Sequence, residues 1–258
     1  MKRIIPYIPF IVLLILSIVS LNFSEAKRNA TICKDVIFKI DEGKTKTPFL
    51  KETDILNSIK ISKTSLVGKK INSIRLYDIE DKIENNPSVL ACQCYFTTEG
   101  YLIVEVSQRI PVVRVMGMYD NYYIDQHGRL MPLSKNFSAR AVVASGNIPD
   151  GFRKKYNVLL GTTKDSSCLK DIYELALAIR EDSFLNALVE QIYVTDSKEY
   201  ILISKIGPTK IEFGSIEFYD EKLKNLKAFY KSRKVRENWH LYESISVKYR
   251  NQIVCTKY

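Results

Sequence analysis

Hydrophobic and polar positions change rhythm several times along the chain, and each change marks an element. The first stretch has no rhythm at all: twenty uncharged residues, IIPYIPFIVLLILSIVSLNF (4–23), follow Lys2 and Arg3. At 1.5 Å per residue a helix of that length covers about 30 Å, the hydrocarbon thickness of a bilayer. Pro6 and Pro9 fall in its first turns, where missing amide donors cost least. Lys2 and Arg3 favour a cytoplasmic N-terminus, giving a tail over 1–3 and a transmembrane helix over 4–23. Ser24-Glu25-Ala26 also fits a signal-peptide cleavage site, but the apolar run exceeds the usual core of about 7–15 residues. Either way, residues 27–258 are expected outside the cytoplasm.

After a linker over 24–35 the pattern predicts strand, helix, helix, strand, strand across 36–110. VIFKI (36–40) reads as a strand. A helix follows with Thr47 as N-cap, Pro48 at its first position and Leu50, Ile55 and Ile59 on one face. Ser73 is placed to cap a second helix whose Leu76, Ile79 and Ile83 share a face and which Asn86-Pro87 ends. VLACQCYF (89–96) and YLIVEVSQR (101–109) then form a hairpin through the TTEG turn with Gly100.

Pro111 marks a boundary, and 111–258 reads as a mostly antiparallel β-domain with two helices. Strands are expected at VVRVMGM (112–118), YYIDQHGRLM (122–131, turning at Gln126-His127-Gly128), EQIYVT, YILISK and TKIEFG. One helix (166–182) carries the stripe Leu169, Ile172, Leu175, Ala176 and Ile179. A second (220–235) buries Leu223, Leu226 and Tyr230 and exposes Lys222, Lys224, Lys227, Lys231 and Lys234. In ISVKYRNQIVCTKY (245–258), Ile245, Val247 and Tyr249 alternate with Ser246, Lys248 and Arg250, the pattern of a half-buried strand. Its polar residues Lys248, Arg250, Gln252 and Lys257 suit an edge strand, which offers unpaired amides and carbonyls to an incoming chain.

Charge narrows the partners. The net charge is +10, and residues 221–258 hold ten Lys+Arg against three acids, a patch suited to an acidic protein, an anionic membrane surface or nucleic acid. The five cysteines (Cys33, Cys92, Cys94, Cys168, Cys255) form no CxxC pair, and Cys92 and Cys94 need a distorted backbone to bridge each other. With His127 and His240 as the two histidines, no zinc set forms. Asp78, Glu80, Asp81 and Glu84 read as a charged helix face, and Asp125 and Gly128 as turn formers. No acid, base or nucleophile converges, so no catalytic, cofactor or metal residue is expected.

Several stretches in this order resemble the bacterial cell-division family FtsQ, also called DivIB. They are the acidic helix with Asp78-Ile79-Glu80, Pro87-Ser88-Val89, Leu102 to Val106, Gln108-Arg109-Ile110-Pro111-Val112-Val113, the YIDQHG turn, IGPTKIEFG leading into EKLKNLKAFY, and the closing ISVKYRNQIV. Gln108 stands where the family usually has Glu, and Ser88 where it often has an aromatic. The resemblance implies an α+β architecture: membrane helix, POTRA domain (36–110, β-α-α-β-β) and FtsQ-type β-domain (111–258). It further implies a non-enzymatic, single-pass protein of the cytoplasmic membrane at the division septum, with no cofactor and no nucleic-acid partner. Partners would be FtsB-type and FtsL-type coiled-coil proteins on the β-domain and other divisome proteins on the POTRA domain. Carried onto this chain, the FtsB-type contact falls on Tyr249, Arg250, Asn251, Gln252, Ile253, Val254 and Cys255. Two other classes compete: a POTRA-bearing component of protein export or outer-membrane assembly, and an anchored cell-wall enzyme.

Overall fold

A computed structural model describes residues 13–17, 31–41, 49–59, 63–135, 137–148, 159–160, 167–206, 210–232, 235 and 238–258. Of the expected membrane span, residues 13–17 are helical with Leu13, Leu14, Ile15 and Leu16 exposed. The remainder of 4–23 lies outside the described residues, and among those described no helix is long and apolar enough to cross a membrane. The chain divides into two compact units.

The first unit comprises Met1–Lys44 and Leu50–Gln108. Strand β1 (Asp35–Asp41) runs parallel to β3 (Tyr101–Gln108), and β2 (Val89–Phe96) pairs antiparallel on the other side of β3. Helices α1 (Glu52–Ile59), α2 (Lys63–Leu66) and α3 (Leu76–Glu84) lie between β1 and β2 in sequence. Ile55 and Ile59 of α1 and Ile79 and Ile83 of α3 share a core with Val36, Leu102, Val104 and Val106. Period 3.6 on the helices and period 2 on β3 supply one apolar face each, and burying those faces together holds the unit.

The helix starts differ from the expected ones. Thr47 and Pro48 lie outside the described residues, and α1 opens at Glu52, where Asp54 Oδ2 accepts the Lys51 amide at 2.9 Å. Ser73 does not cap α3. It ends a short 3₁₀ turn (Ile71–Ser73), and its hydroxyl donates to the Lys70 carbonyl at 2.7 Å, leaving Arg75 at the cap without a side-chain bond. Gln108 is buried and its Oε1 accepts the Leu50 amide at 3.3 Å, a setting in which a neutral amide costs less than the family's carboxylate would.

The second unit comprises Thr45–Phe49 and Arg109–Tyr258. Its strands are β4 (Pro111–Met116), β5 (Asn121–Asp125), β6 (Leu130–Met131), β7 (Val142–Gly146), β8 (Val189–Val194), β9 (Tyr200–Ser204), β10 (Lys210–Gly214), β11 (Tyr242–Ser246) and β12 (Val254–Lys257). They form one nine-stranded sheet in the order β12-β11-β10-β9-β8-β7-β4-β5-β6. The β4–β7, β7–β8 and β10–β11 pairs are parallel and the rest antiparallel, so the sheet is mostly antiparallel as the sequence suggests. Helix α4 (Ser167–Glu181) lays Leu169, Ile172, Leu175, Ala176 and Ile179 on the sheet, each fully buried.

The single helix expected over 166–182 is followed at once by another, α5 (Ser183–Leu188), so the unit holds three described α-helices with α6 (Tyr219–Lys231). Asp182 makes the break. It leaves the helical backbone region, and its Oδ1 accepts the amides of Phe184 at 2.9 Å and Leu185 at 3.1 Å as the N-cap of α5. Its Oδ2 pairs with Lys227 of α6. Lys227, with those two amides, holds the Asp182 carboxyl below its ordinary value. A depressed carboxyl stabilises the fold above its unfolded pKa and ceases to do so as pH falls through the folded value. The Tm difference between wild type and Asp182→Asn, which keeps the capping oxygen, is therefore expected to be complete above about pH 5, to shrink as pH falls below about 4, and to vanish only once pH has passed below the folded value. A difference that stays constant into acid would contradict this.

A buried ion pair fixes the start of the second unit. Arg109 Nη1 meets Asp125 Oδ2 at 2.6 Å with side chains 7% and 0% exposed. Asp125 Oδ1 accepts the amides of His127 and Arg129, both at 2.8 Å, and Gly128 (φ 70°) closes the turn onto the Asp125 carbonyl. Asp125 thus shapes the β5–β6 turn, as its spacing to Gly128 predicts, and also neutralises Arg109.

Candidate partner-binding edge

The closing stretch does not form the single strand that its alternation suggests. Ile245 and Val247 are buried, and β11 lies inside the sheet, parallel to β10. Residues 247–253 turn the chain, with Asn251 in the left-handed region at φ 62°, where asparagine is among the residues best tolerated. The chain then returns as β12, which pairs antiparallel with β11 and forms the sheet edge. The edge strand is therefore Val254–Lys257 rather than 245–249.

Backbone alternation decides what that edge offers. The Val247 amide donates to Glu212 O on β10, so Ser246 and Ser244 turn towards β12, opposite Val254 and Thr256. The Tyr258 amide donates to Leu241 O at 3.3 Å, which sets the same phase on β12. The amides and carbonyls of Cys255 and Lys257 consequently face away from the sheet.

The hairpin loop packs beside the first turn of α6. There Phe218 holds φ 55°, an unusual conformation for a bulky residue, and its ring stays 59% exposed. The Arg250 guanidinium lies over that ring at 4.6 Å from its centroid, and its Nε reaches Glu221 Oε2 at 3.3 Å. Lys248 Nζ meets Glu199 Oε2 at 2.9 Å, a contact that raises the lysine above its ordinary value. Phe218, Glu221, Lys222, Lys248, Tyr249 and Arg250 line a pocket of about 200 Å³. Aromatic surface flanked by both signs of charge is recognition chemistry for a peptide side chain.

The seven residues expected at the site therefore divide. Tyr249 to Ile253 lie in the hairpin loop, with Tyr249 exposed and Ile253 packed against the core. Val254 and Cys255 begin the edge strand, Val254 exposed and Cys255 packed inward. Sequence reasoning missed Phe218 and Glu221, which reach the pocket from another element. It also placed Lys222 among the exposed lysines, whereas Lys222 is 8% exposed. Its Nζ donates to Ser215 O at 2.8 Å above the Phe213 ring, and desolvation lowers its pKa. One helical turn separates Lys222 from the buried Leu226, a spacing that points inward.

A family model described as FtsQ/DivIB, C-terminal related, matches residues 110–256, more than half of the chain and nearly all of this unit, including β12 as far as Thr256. The chain belongs to that family. A second model, the POTRA-like domain, matches residues 31–107, the first unit. No curated protein matches the chain. The pair of matches makes this an FtsQ/DivIB-like cell division protein, and the hairpin loop, its pocket and β12 as far as Thr256 lie within the matched FtsQ/DivIB region.

Proposed function

We propose that this FtsQ/DivIB protein is a non-enzymatic, single-pass scaffold of the bacterial divisome that captures an FtsB-type segment, and through it an FtsL-type protein, on the outward edge of β12. In this reading residues 4–23 anchor it in the cytoplasmic membrane at the septum, with both units outside the cytoplasm. The first unit is recruited by other divisome proteins, and the bound coiled coil regulates septal peptidoglycan synthesis. The observation that carries the reading is the phase of β12: alternate backbone groups point outward beside a pocket of exposed aromatic and charged side chains. Main-chain pairing then supplies affinity and the pocket supplies selectivity.

The pocket gives a direct test. With the purified chain and the extracytoplasmic FtsB–FtsL coiled coil from the same cell, Tyr249→Ala combined with Arg250→Ala is expected to weaken binding about tenfold or more while leaving the fold intact. Unchanged affinity in that variant would move selectivity away from the pocket. Absence of binding by wild type would overturn the proposal.

A further inference from the structure

The first unit treats an edge strand in the opposite way. Among the described residues β2 pairs with β3 on one side only. The Thr97 amide donates to Tyr101 O, so odd-numbered residues of β2 turn to β3 and Cys92 and Cys94 turn outward. An outward amide on an edge strand is a template for pairing with another chain. Here both amides are already taken. The Cys94 amide donates to Glu80 Oε1 at 2.6 Å, and the Cys92 amide to Glu84 Oε1 at 3.0 Å.

Both carboxylates come from α3, and their spacing explains the fit. Four residues along a helix rise about 6 Å, and two residues along a strand about 6.7 Å. Glutamates at i and i+4 of a helix antiparallel to the strand therefore match alternate amides one for one. The order observed, Glu80 to Cys94 and Glu84 to Cys92, is the crossed order which that geometry requires. The glutamates stand where the carbonyls of a fourth strand would be. Asp78 and Asp81 on the same helix do not share this role: Asp78 pairs with Arg75, and Asp81 accepts from Asn85.

We infer that Glu80 and Glu84 are a built-in cap that closes the β2 edge to strand addition. The acidic character of α3 then has a cause beyond solubility. The molecule presents one sheet edge closed by its own side chains and another, β12, whose outward backbone groups face away from the sheet.

Site-resolved amide exchange on the full chain in detergent micelles tests the cap. In wild type the Cys92 and Cys94 amides are expected to exchange at least about tenfold more slowly than the outward amide of Cys255. Glu80→Ala with Glu84→Ala is expected to speed both amides about tenfold or more, with Ala91 and Gln93, which face β3, unchanged. Glu80→Gln with Glu84→Gln keeps an accepting oxygen and is expected to restore slow exchange. Three results would overturn the cap: wild-type Cys92 and Cys94 exchanging as fast as Cys255, no change in the alanine variant, or a glutamine variant as fast as the alanine one. If the alanine variant does not fold, the wild-type and glutamine measurements decide alone.

Discussion

Replacing Asp125 by alanine is expected to destabilise the second unit by about 3–5 kcal/mol, because it takes the Asp125 carboxylate away from the buried Arg109 guanidinium. For a unit of this size the Tm should fall by about 10 °C. Two losses combine. The guanidinium loses the carboxylate oxygen 2.6 Å away, and the amides of His127 and Arg129 lose the acceptor that shapes the turn. The two are separable. Asp125→Asn keeps an oxygen for the amides but still takes the carboxylate charge from Arg109, so it should remain strongly destabilised. Adding Arg109→Met to Asp125→Asn removes the buried positive charge while keeping apolar bulk, and should recover much of the stability. If the double variant is no more stable than Asp125→Asn in thermal unfolding, the charge argument fails and the turn carries the effect.

The second large effect concerns the edge of β12. Lys257→Pro removes an amide that faces away from the sheet, so the β11–β12 hairpin should keep its bonds and the chain its Tm. Binding of the FtsB–FtsL coiled coil should weaken about tenfold or more, since an added strand loses a ladder bond and meets the proline ring. Lys257→Ala separates the lost amide from the lost charge and should bind nearly as wild type. Thr256→Pro is the contrasting case: its amide faces β11, so that variant should damage the hairpin itself. Equal binding by wild type and Lys257→Pro would remove β12 from the interface.

The fold was most legible where one period ran long enough to fix a face. The stripe from Leu169 to Ile179 names the core side of α4, and Leu102, Val104 and Val106 do the same for β3. It was least legible where one residue overrides a continuing pattern. Asp182 stops α4 by taking two amides of α5, although the apolar spacing runs on to Leu185 and Leu188. Asn251 turns the chain just after an alternation that runs from Ile245 to Arg250 and carries no glycine or proline to mark its end, so one strand was expected where two occur. β7 was missed because VVASG carries small side chains, yet it is central in the sheet. Gly146 ends it at φ 100°, where a Cβ would lie 2.2 Å from the Val194 carbonyl oxygen.

The candidate site was half legible for a related reason. Tyr249 to Cys255 are contiguous, and their exposed polar residues mark an edge. The other wall of the pocket comes from Phe218, Glu221 and Lys222 at the start of α6, which only the fold brings beside the hairpin. Nothing in a local pattern announces that Phe218 takes a left-handed backbone and leaves its ring under Arg250. The glutamates on α3 were read as a solvated face for the same reason. Their partners are backbone amides, which carry no residue-type signature.

The central claim is that an incoming strand pairs with the outward side of β12, and amide exchange with and without the FtsB–FtsL coiled coil reads it directly. Binding should slow the amides of Cys255 and Lys257 and leave those of Val254 and Thr256, already facing β11, nearly unchanged. A tight complex in which Cys255 and Lys257 exchange at their unbound rates would contradict the account and place the partner elsewhere on the molecule.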